Sequence, residues 1–215
     1  MSDGIAADLE ASRRWLETGG AEGSTISWYG EDLSEAELSL AVLHGALLIG
    51  SRFANARLDG ADLTHVQAGD ADFSGCSAVG AQFSKGTFEG ASFVTTRLER
   101  AAFTKADLRS ANFRGADLRS ANLDGAMCDE TIFESADLSG ATFLAAMLDA
   151  CDLTNASVSN ARFERTTIDD TTCLIGLKGL ESADIRSIHV AGKVLVGDEA
   201  LRWLTDRTVA RVAEL

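Results

Sequence analysis

The chain has 215 residues, 46% of them apolar, a formal net charge of −14 and no proline. Such an acid excess argues against binding nucleic acid through its phosphates, which requires a basic face. The longest apolar stretch, Ser39 to Gly50, is about half of the roughly 20 residues that span a bilayer, so a membrane-spanning segment is not expected.

In chain order, residues 1–30 come first and are assigned to an N-terminal helical cap. Met1-Ser-Asp-Gly has no basic region followed by an apolar core, so no export signal is read and a cytoplasmic location is expected. The pattern predicts a short helix over residues 4–18, with Ile5, Leu9, Trp15 and Leu16 on one face. Asp3 is its candidate N-cap and Gly19-Gly20 its stop. Trp15, Trp28 and Tyr29, together with the distant Trp203, fall outside the repeat that follows and are assigned to the caps. The outward apolar residues Leu40, Val42, Leu47 and Ile49 are where the helix is expected to lie.

Residues 31–175 repeat in fives. Every fifth residue from Leu33 to Cys173 gives 29 positions, of which 13 are Leu and 10 are Phe, and those ten are all the Phe of the chain. The other six are Ala68, Ala78, Cys128, Val158, Ile168 and Cys173, none of them charged. Two residues before each centre, 19 of the 29 positions are Ala. In an extended segment, residues i and i−2 share a face, so the large and the small residue both point inward while i−1 and i+1 face water. A period of five then demands a corner in every unit, and position i+2 supplies residues that tolerate positive φ, such as Gly60, Asn55 and Asp70.

Undiluted units stand at Ala106-Asp-Leu-Arg-Ser, Ala111-Asn-Phe-Arg-Gly, Ala116-Asp-Leu-Arg-Ser and Ala121-Asn-Leu-Asp-Gly. This A-[DN]-[LF]-x-x unit resembles that of the pentapeptide-repeat family. The resemblance implies an all-β solenoid, a right-handed quadrilateral parallel β-helix in which four units make one coil of about 20 residues. Residues 31–175 then give about seven coils. Reading by twenties sets Phe53, Phe73, Phe93, Phe113 and Phe133 in one ladder. Cys76, Cys128, Cys151 and Cys173 all fall at inward positions and are expected to be buried small hydrophobes. No Cys-x-x-Cys pair, and no histidine at ligand spacing from a cysteine, suggests a metal, so no metal or other cofactor is expected. His44 and His65 fall at outward positions and His189 in the tail, so no catalytic set is read and the chain is expected not to be an enzyme.

Residues 176–215 leave the register and are assigned to a C-terminal capping or dimerisation element. Ile188 to Val196 reads as a hairpin with its turn near Gly192. Asp198 to Val212 reads as a helix, with acids at its start and Arg207 and Arg211 near its end. Among gyrase-protecting members of the family a C-terminal helical element builds a two-fold dimer. The resemblance therefore implies a homodimer here, the alternative being a plain cap on a monomer.

The outer surface carries uneven charge. Residues 1–96 hold 14 acids and 5 bases, residues 97–120 hold 3 acids and 6 bases, and residues 121–175 hold 10 acids and 2 bases. Arg97, Arg100, Lys105, Arg109, Arg114 and Arg119 form the basic belt between the acidic ends, either a contact surface or internal pairing. Asp129, Asp149 and Asp169 occupy the same outward position on successive coils, with Glu130 and Asp170 beside them. Met127 and Met147 stack on the same side, and Leu144 projects across the corner. These eight residues are the candidate partner-binding face, an acidic stripe beside flexible apolar side chains, with scattered surface residues as the alternative. The resemblance to Qnr- and MfpA-type proteins implies a non-catalytic DNA mimic that binds DNA gyrase or topoisomerase IV and confers resistance to a topoisomerase poison. The alternative is a scaffold or regulator for an unrelated protein partner.

Overall fold

A computed structural model describes residues 3–209 of the chain. Its backbone settles into parallel rungs twenty residues apart, from Ser27 against Leu47 to Met147 against Thr167, with four corners in each turn of the chain. The fold is a four-sided β-solenoid.

The five-residue unit explains how nearly every amide is satisfied. The centre donates to one neighbouring coil (Leu33 N to Arg52 O, 2.7 Å), and so does residue i+2 (Glu35 N to Ala54 O, 2.9 Å). Residue i−1 donates to the coil on the other side (Arg52 N to Glu31 O, 2.9 Å), and the small residue of the next unit closes the corner (Ala36 N to Leu33 O, 3.1 Å). That accounts for four N–H groups in five. The fifth, at i+1, is taken by the side chain at i−1 in the units that carry Asp or Asn there, as when Thr64 N donates to Asp62 Oδ1 at 2.9 Å. The acidic letter of the repeat is thus a backbone cap before it is a surface charge. The corner needs positive φ at i+2, and residues as unsuited to it as Leu40 (61°) and Thr95 (53°) adopt it.

The interior is filled. Phe53, Phe73, Phe93, Phe113 and Phe133 stack with centroids 4.6 to 5.3 Å apart, and Phe83 and Phe103 meet them edge-on from the opposite side. Contacts of both geometries add to area burial.

Three expectations need correction. Trp28 is not a cap residue: it sits at a centre position one unit ahead of Leu33, only 4% exposed, and its amide joins the ladder by donating to Leu47 O at 2.8 Å. Cys173 is not inward. The rung step lengthens from twenty residues to twenty-one at Asp152 against Cys173 and to twenty-two at Arg162 against Asp184. One extra residue in the corner after Ile168 therefore turns Cys173 outward and brings Leu174 to the centre and Thr172 to the small position. Cys76, Cys128 and Cys151 are buried as expected. Asp3 is the first residue of helix α1 (Asp3–Glu17) rather than its preceding cap.

Helix α1 ends where Gly19 and Gly20 turn to positive φ. It is held to the first coil by Trp28 Nε1, which donates to Asp8 Oδ2 at 2.8 Å, and by Ile5 and Leu9 against the core. It leaves Leu40 and Leu47 exposed, so it covers only part of the apolar surface expected beneath it. At the other end, β1 (Arg162–Phe163) pairs with β3 (Asp184–Ile185), and β2 (Thr166–Thr167) pairs with β4 (Ser187–Val190). Strand β4 turns back into antiparallel β5 (Lys193–Val196) through Ala191 and Gly192, both at positive φ as a type I′ turn requires. Helix α2 is described over Gly197–Val209 and buries Ala200 and Leu204, while Arg211 lies outside the described residues. Among the described residues no helix is long and apolar enough to cross a membrane.

Candidate partner-binding face

With the bore closed, chemistry is confined to the outer surface. The buried thiols are poor nucleophiles: burial pushes Cys76 up to about 12 and raises Cys128 and Cys151 as well. Among the described residues no three His, Cys, Asp or Glu side chains stand where they could hold a metal ion.

The candidate face lies on the side whose outward rungs include Met127, Met147 and Thr167. Met127 and Met147 are direct rung partners, each half-buried, and Leu144 stands 38% exposed at the corner leading into them. Beyond the methionines, at i+1, come Asp129 and Asp149. Neither carboxylate has a hydrogen-bond or ion-pair partner among the described residues. Partial burial raises the Asp149 carboxyl above its ordinary range, with Asp169 and Asp129 adding repulsion. Glu130 is exposed and accepts one bond from Ser110 Oγ at 3.3 Å.

Asp169 and Asp170 also serve the fold. In regular coils the i+2 amide donates to a backbone carbonyl, as Glu130 N does to Asp149 O at 3.0 Å. At Ala150 the acceptor is Asp169 Oδ1 instead, at 2.9 Å, and the same oxygen takes the amides of Thr171 and Thr172 at 3.1 and 3.0 Å. Asp169 mends the ladder where the extra residue breaks it. Burial opposes its charge, but these bonds outweigh it and hold the carboxyl down at about 2. Asp170 accepts from the Arg207 guanidinium at 2.6 Å, and that guanidinium lies 3.7 Å above the Trp203 ring. This clamps α2 to the solenoid. Sequence reasoning missed both roles, although the one-residue slip is written in Thr172-Cys173-Leu174, where a small and a large residue reappear two apart but one place late.

The basic belt is mostly internal pairing. Arg97 faces Glu99 (3.6 Å), Arg109 faces Asp107 and Glu89 (2.7 and 3.5 Å), Arg114 faces Glu134 (2.5 Å) and Arg119 holds Asp117 (2.7 Å) together with Glu99. Among the described residues only Arg100 and Lys105 of the belt lack an ion pair.

A solved structure of trypsin-treated QnrB1, a plasmid-mediated fluoroquinolone resistance protein, is 18% identical over 78% of this chain and 81% of its own, with a TM-score of 0.51. HetL, a pentapeptide-repeat protein involved in heterocyst differentiation regulation from a Nostoc cyanobacterium, is 23% identical over 85% of this chain and 97% of its own, with a TM-score of 0.37. At 18% identity the likeness to QnrB1 speaks to fold alone. No curated protein sequence matches the chain. The pentapeptide repeat region matches residues 46–123, and the eight-copy pentapeptide repeats match residues 116–155 and 128–165. With these matches spanning more than half of the sequence and the register of fives written in its hydrogen bonds, the chain belongs to the pentapeptide-repeat family.

Proposed function

We propose that this chain is a non-catalytic, cytoplasmic protein-binding protein whose partner is DNA gyrase or topoisomerase IV, engaged through an acidic surface that imitates duplex DNA. Binding of this kind would protect the enzyme from a topoisomerase poison. The observation that carries the reading is the neutralised belt. The net charge of −14 is not interrupted at mid-rod by a free basic surface, because four of its six cations are already held by carboxylates. The filled core supports a non-catalytic role, since it leaves no interior cavity in which a reaction could be sheltered from water. The fold shared with QnrB1 is in keeping with the reading but does not name the partner.

The test is DNA supercoiling by purified gyrase with the protein titrated in, with and without ciprofloxacin. Inhibition or drug protection at micromolar protein, lost in Asp149→Lys, is the expected result. No effect at large excess would remove the topoisomerase from the reading. A second reading, a scaffold for an unrelated protein, draws on Met127, Met147 and Leu144, because phosphate mimicry has no use for apolar side chains. A pull-down that returns a non-topoisomerase partner lost in Met147→Glu would favour it.

A further inference from the structure

Among the described residues six large apolar side chains are exposed: Tyr29, Leu40, Leu47, Leu144, Val194 and Val196. All but Leu40 fall on, or at the rim of, the side that carries the candidate face. The outward column of that side does not stop at Met147. It runs on through Thr167, which pairs with His189, which pairs in turn with Val194 of β5. Val196 pairs with Ser187, whose hydroxyl accepts from Arg165 N at the same rim that presents Leu144 one coil earlier. Across the strip the order is therefore fixed: Leu144 and Val196 on one edge, the column in the middle, Asp129 and Asp149 on the other edge.

We propose that the column Met127, Met147, Thr167, His189 and Val194 is a docking strip for a basic amphipathic helix of a partner protein, laid along the solenoid axis. This rests on the protein-binding reading above, though not on the partner being a topoisomerase. Five rungs at about 4.8 Å span roughly 19 Å, the length of a helix of about 13 residues at 1.5 Å each. The helical pitch of about 5.4 Å is close to the rung spacing, so partner residues at i, i+4, i+7 and i+11 fall within about 2 Å of successive rungs. Charge complementarity selects the occupant. Asp129 and Asp149 are stacked carboxylates with no partner of their own among the described residues, a repulsion that cations on one flank of the helix relieve. Arg165, with no ion pair among the described residues, stands in the apolar edge and confines the basic residues to the opposite flank. A nucleic-acid backbone would be repelled from this strip.

The chain has three methionines, of which Met127 and Met147 lie in the strip and Met1 is remote in sequence, so methyl spectroscopy reads the site directly. The probe is an 18-residue helical peptide of Leu and Lys, with the Lys on one flank of the Leu stripe, titrated into full-length protein carrying 13C-methyl methionine. The expected result is a saturable shift of the two strip methyls but not of the third. Affinity should fall at least tenfold in Met147→Glu and Val194→Asp, and about threefold in Asp149→Asn. A Leu/Glu peptide of the same pattern should leave the spectrum unmoved. Equal shifts with both peptides, or binding indifferent to Val194→Asp, overturns the proposal. So does a concentration-dependent dimer, seen by sedimentation, that Val194→Asp dissolves, because the strip would then be filled by a second copy. Val194 is exposed, so its variant is expected to keep the wild-type circular dichroism and melting point. If the peptide fails while Met147→Glu still abolishes the gyrase effect, the helix assignment falls and the protein-binding reading stands.

Discussion

Replacing Asp169 separates the fold from the face. Its Oδ1 accepts from the amides of Ala150, Thr171 and Thr172 and from both threonine hydroxyls, all within 3.1 Å. A carboxyl held at about 2 against an ordinary value of 3.8 corresponds to a ceiling of about 2.4 kcal/mol at 1.36 kcal/mol per pH unit. The corner is half-open to water, and screening reduces that to about 1 kcal/mol. The folded-state value is depressed, so this stability is fully present above about pH 4 and is lost as pH falls through about 2. Asp169→Asn keeps an oxygen acceptor and should lose only this charge-dependent part, about 1 kcal/mol at pH 7. Asp169→Ala also strands three amides and should lose about 2 to 3 kcal/mol. Urea unfolding followed by circular dichroism at pH 7 and at pH 2 gives the midpoints, and hydrogen exchange at Ala150 and Thr172 localises the damage. Equal midpoints for wild type and Asp169→Ala at pH 7 would refute the role assigned to this carboxylate. So would a gap between wild type and Asp169→Asn that survives undiminished at pH 2.

Asp149 should behave in the opposite sense. Its raised pKa means that the fold disfavours its charged form, so Asp149→Asn should stabilise the fold at pH 7 and leave it unchanged at pH 3, where the carboxyl is protonated in both states. Thr95→Gly relieves a β-branched residue at a φ of 53° and should add about 1 kcal/mol, read as a higher melting temperature. Phe93→Ala empties a position between Phe73 and Phe113, at 4.9 and 4.6 Å, and should cost about 4 kcal/mol in denaturant unfolding; a loss below about 1 would mean that the stack is not a principal source of stability. Changing Asp62, Asp72, Asp137 and Asp152 together to Asn should leave the melting temperature within a few degrees, because Asn112 and Asn122 already make the same bond to the i+1 amide. If the partner reads overall charge, the same variant binds it more weakly; if it reads the strip, affinity is unchanged.

What was legible in the sequence, and what was not, follows from where the period holds. Every fifth residue identified the buried column because burial tolerates few residue types, and the Phe ladder stands where reading by twenties put it. The reading failed at both ends of the run, for opposite reasons. Trp28 is in register but is neither Leu nor Phe, so its identity hid its position, while Cys173 kept the arithmetic of fives after the backbone had gained a residue. The candidate face was legible as a column of like charges. Nothing in the spacing told Asp169 from Asp149, because the difference lies in an amide left without its carbonyl, and only the broken ladder reveals that. The continuation through His189 and Val194 was hidden too, since the hairpin is out of register and joins the side by pairing alone.

The partition of the acid excess bears on how the charge should be interpreted. Asp32, Asp62, Asp72, Asp107, Asp117, Asp137 and Asp152 each cap the amide two residues on, and Asp59 and Asp124 cap an amide on a neighbouring coil. These carboxylates serve a backbone that leaves one N–H in five without a carbonyl, and an asparagine serves as well at Asn112 and Asn122. Their presence makes the rod acidic whatever it binds, so net charge alone is weak support for mimicry of DNA. Asp129 and Asp149 are different in kind. They cap nothing, they repel each other, and Asp149 is disfavoured in its charged form by its own surroundings. Serine fills the corresponding position elsewhere on the rod, as at Ser139 and Ser159, so the backbone itself does not call for an acid there. Asp149 carries its charge against its own surroundings beside two half-buried methionines, which is why Asp149→Lys and Met147→Glu are the variants that test this side as a contact surface.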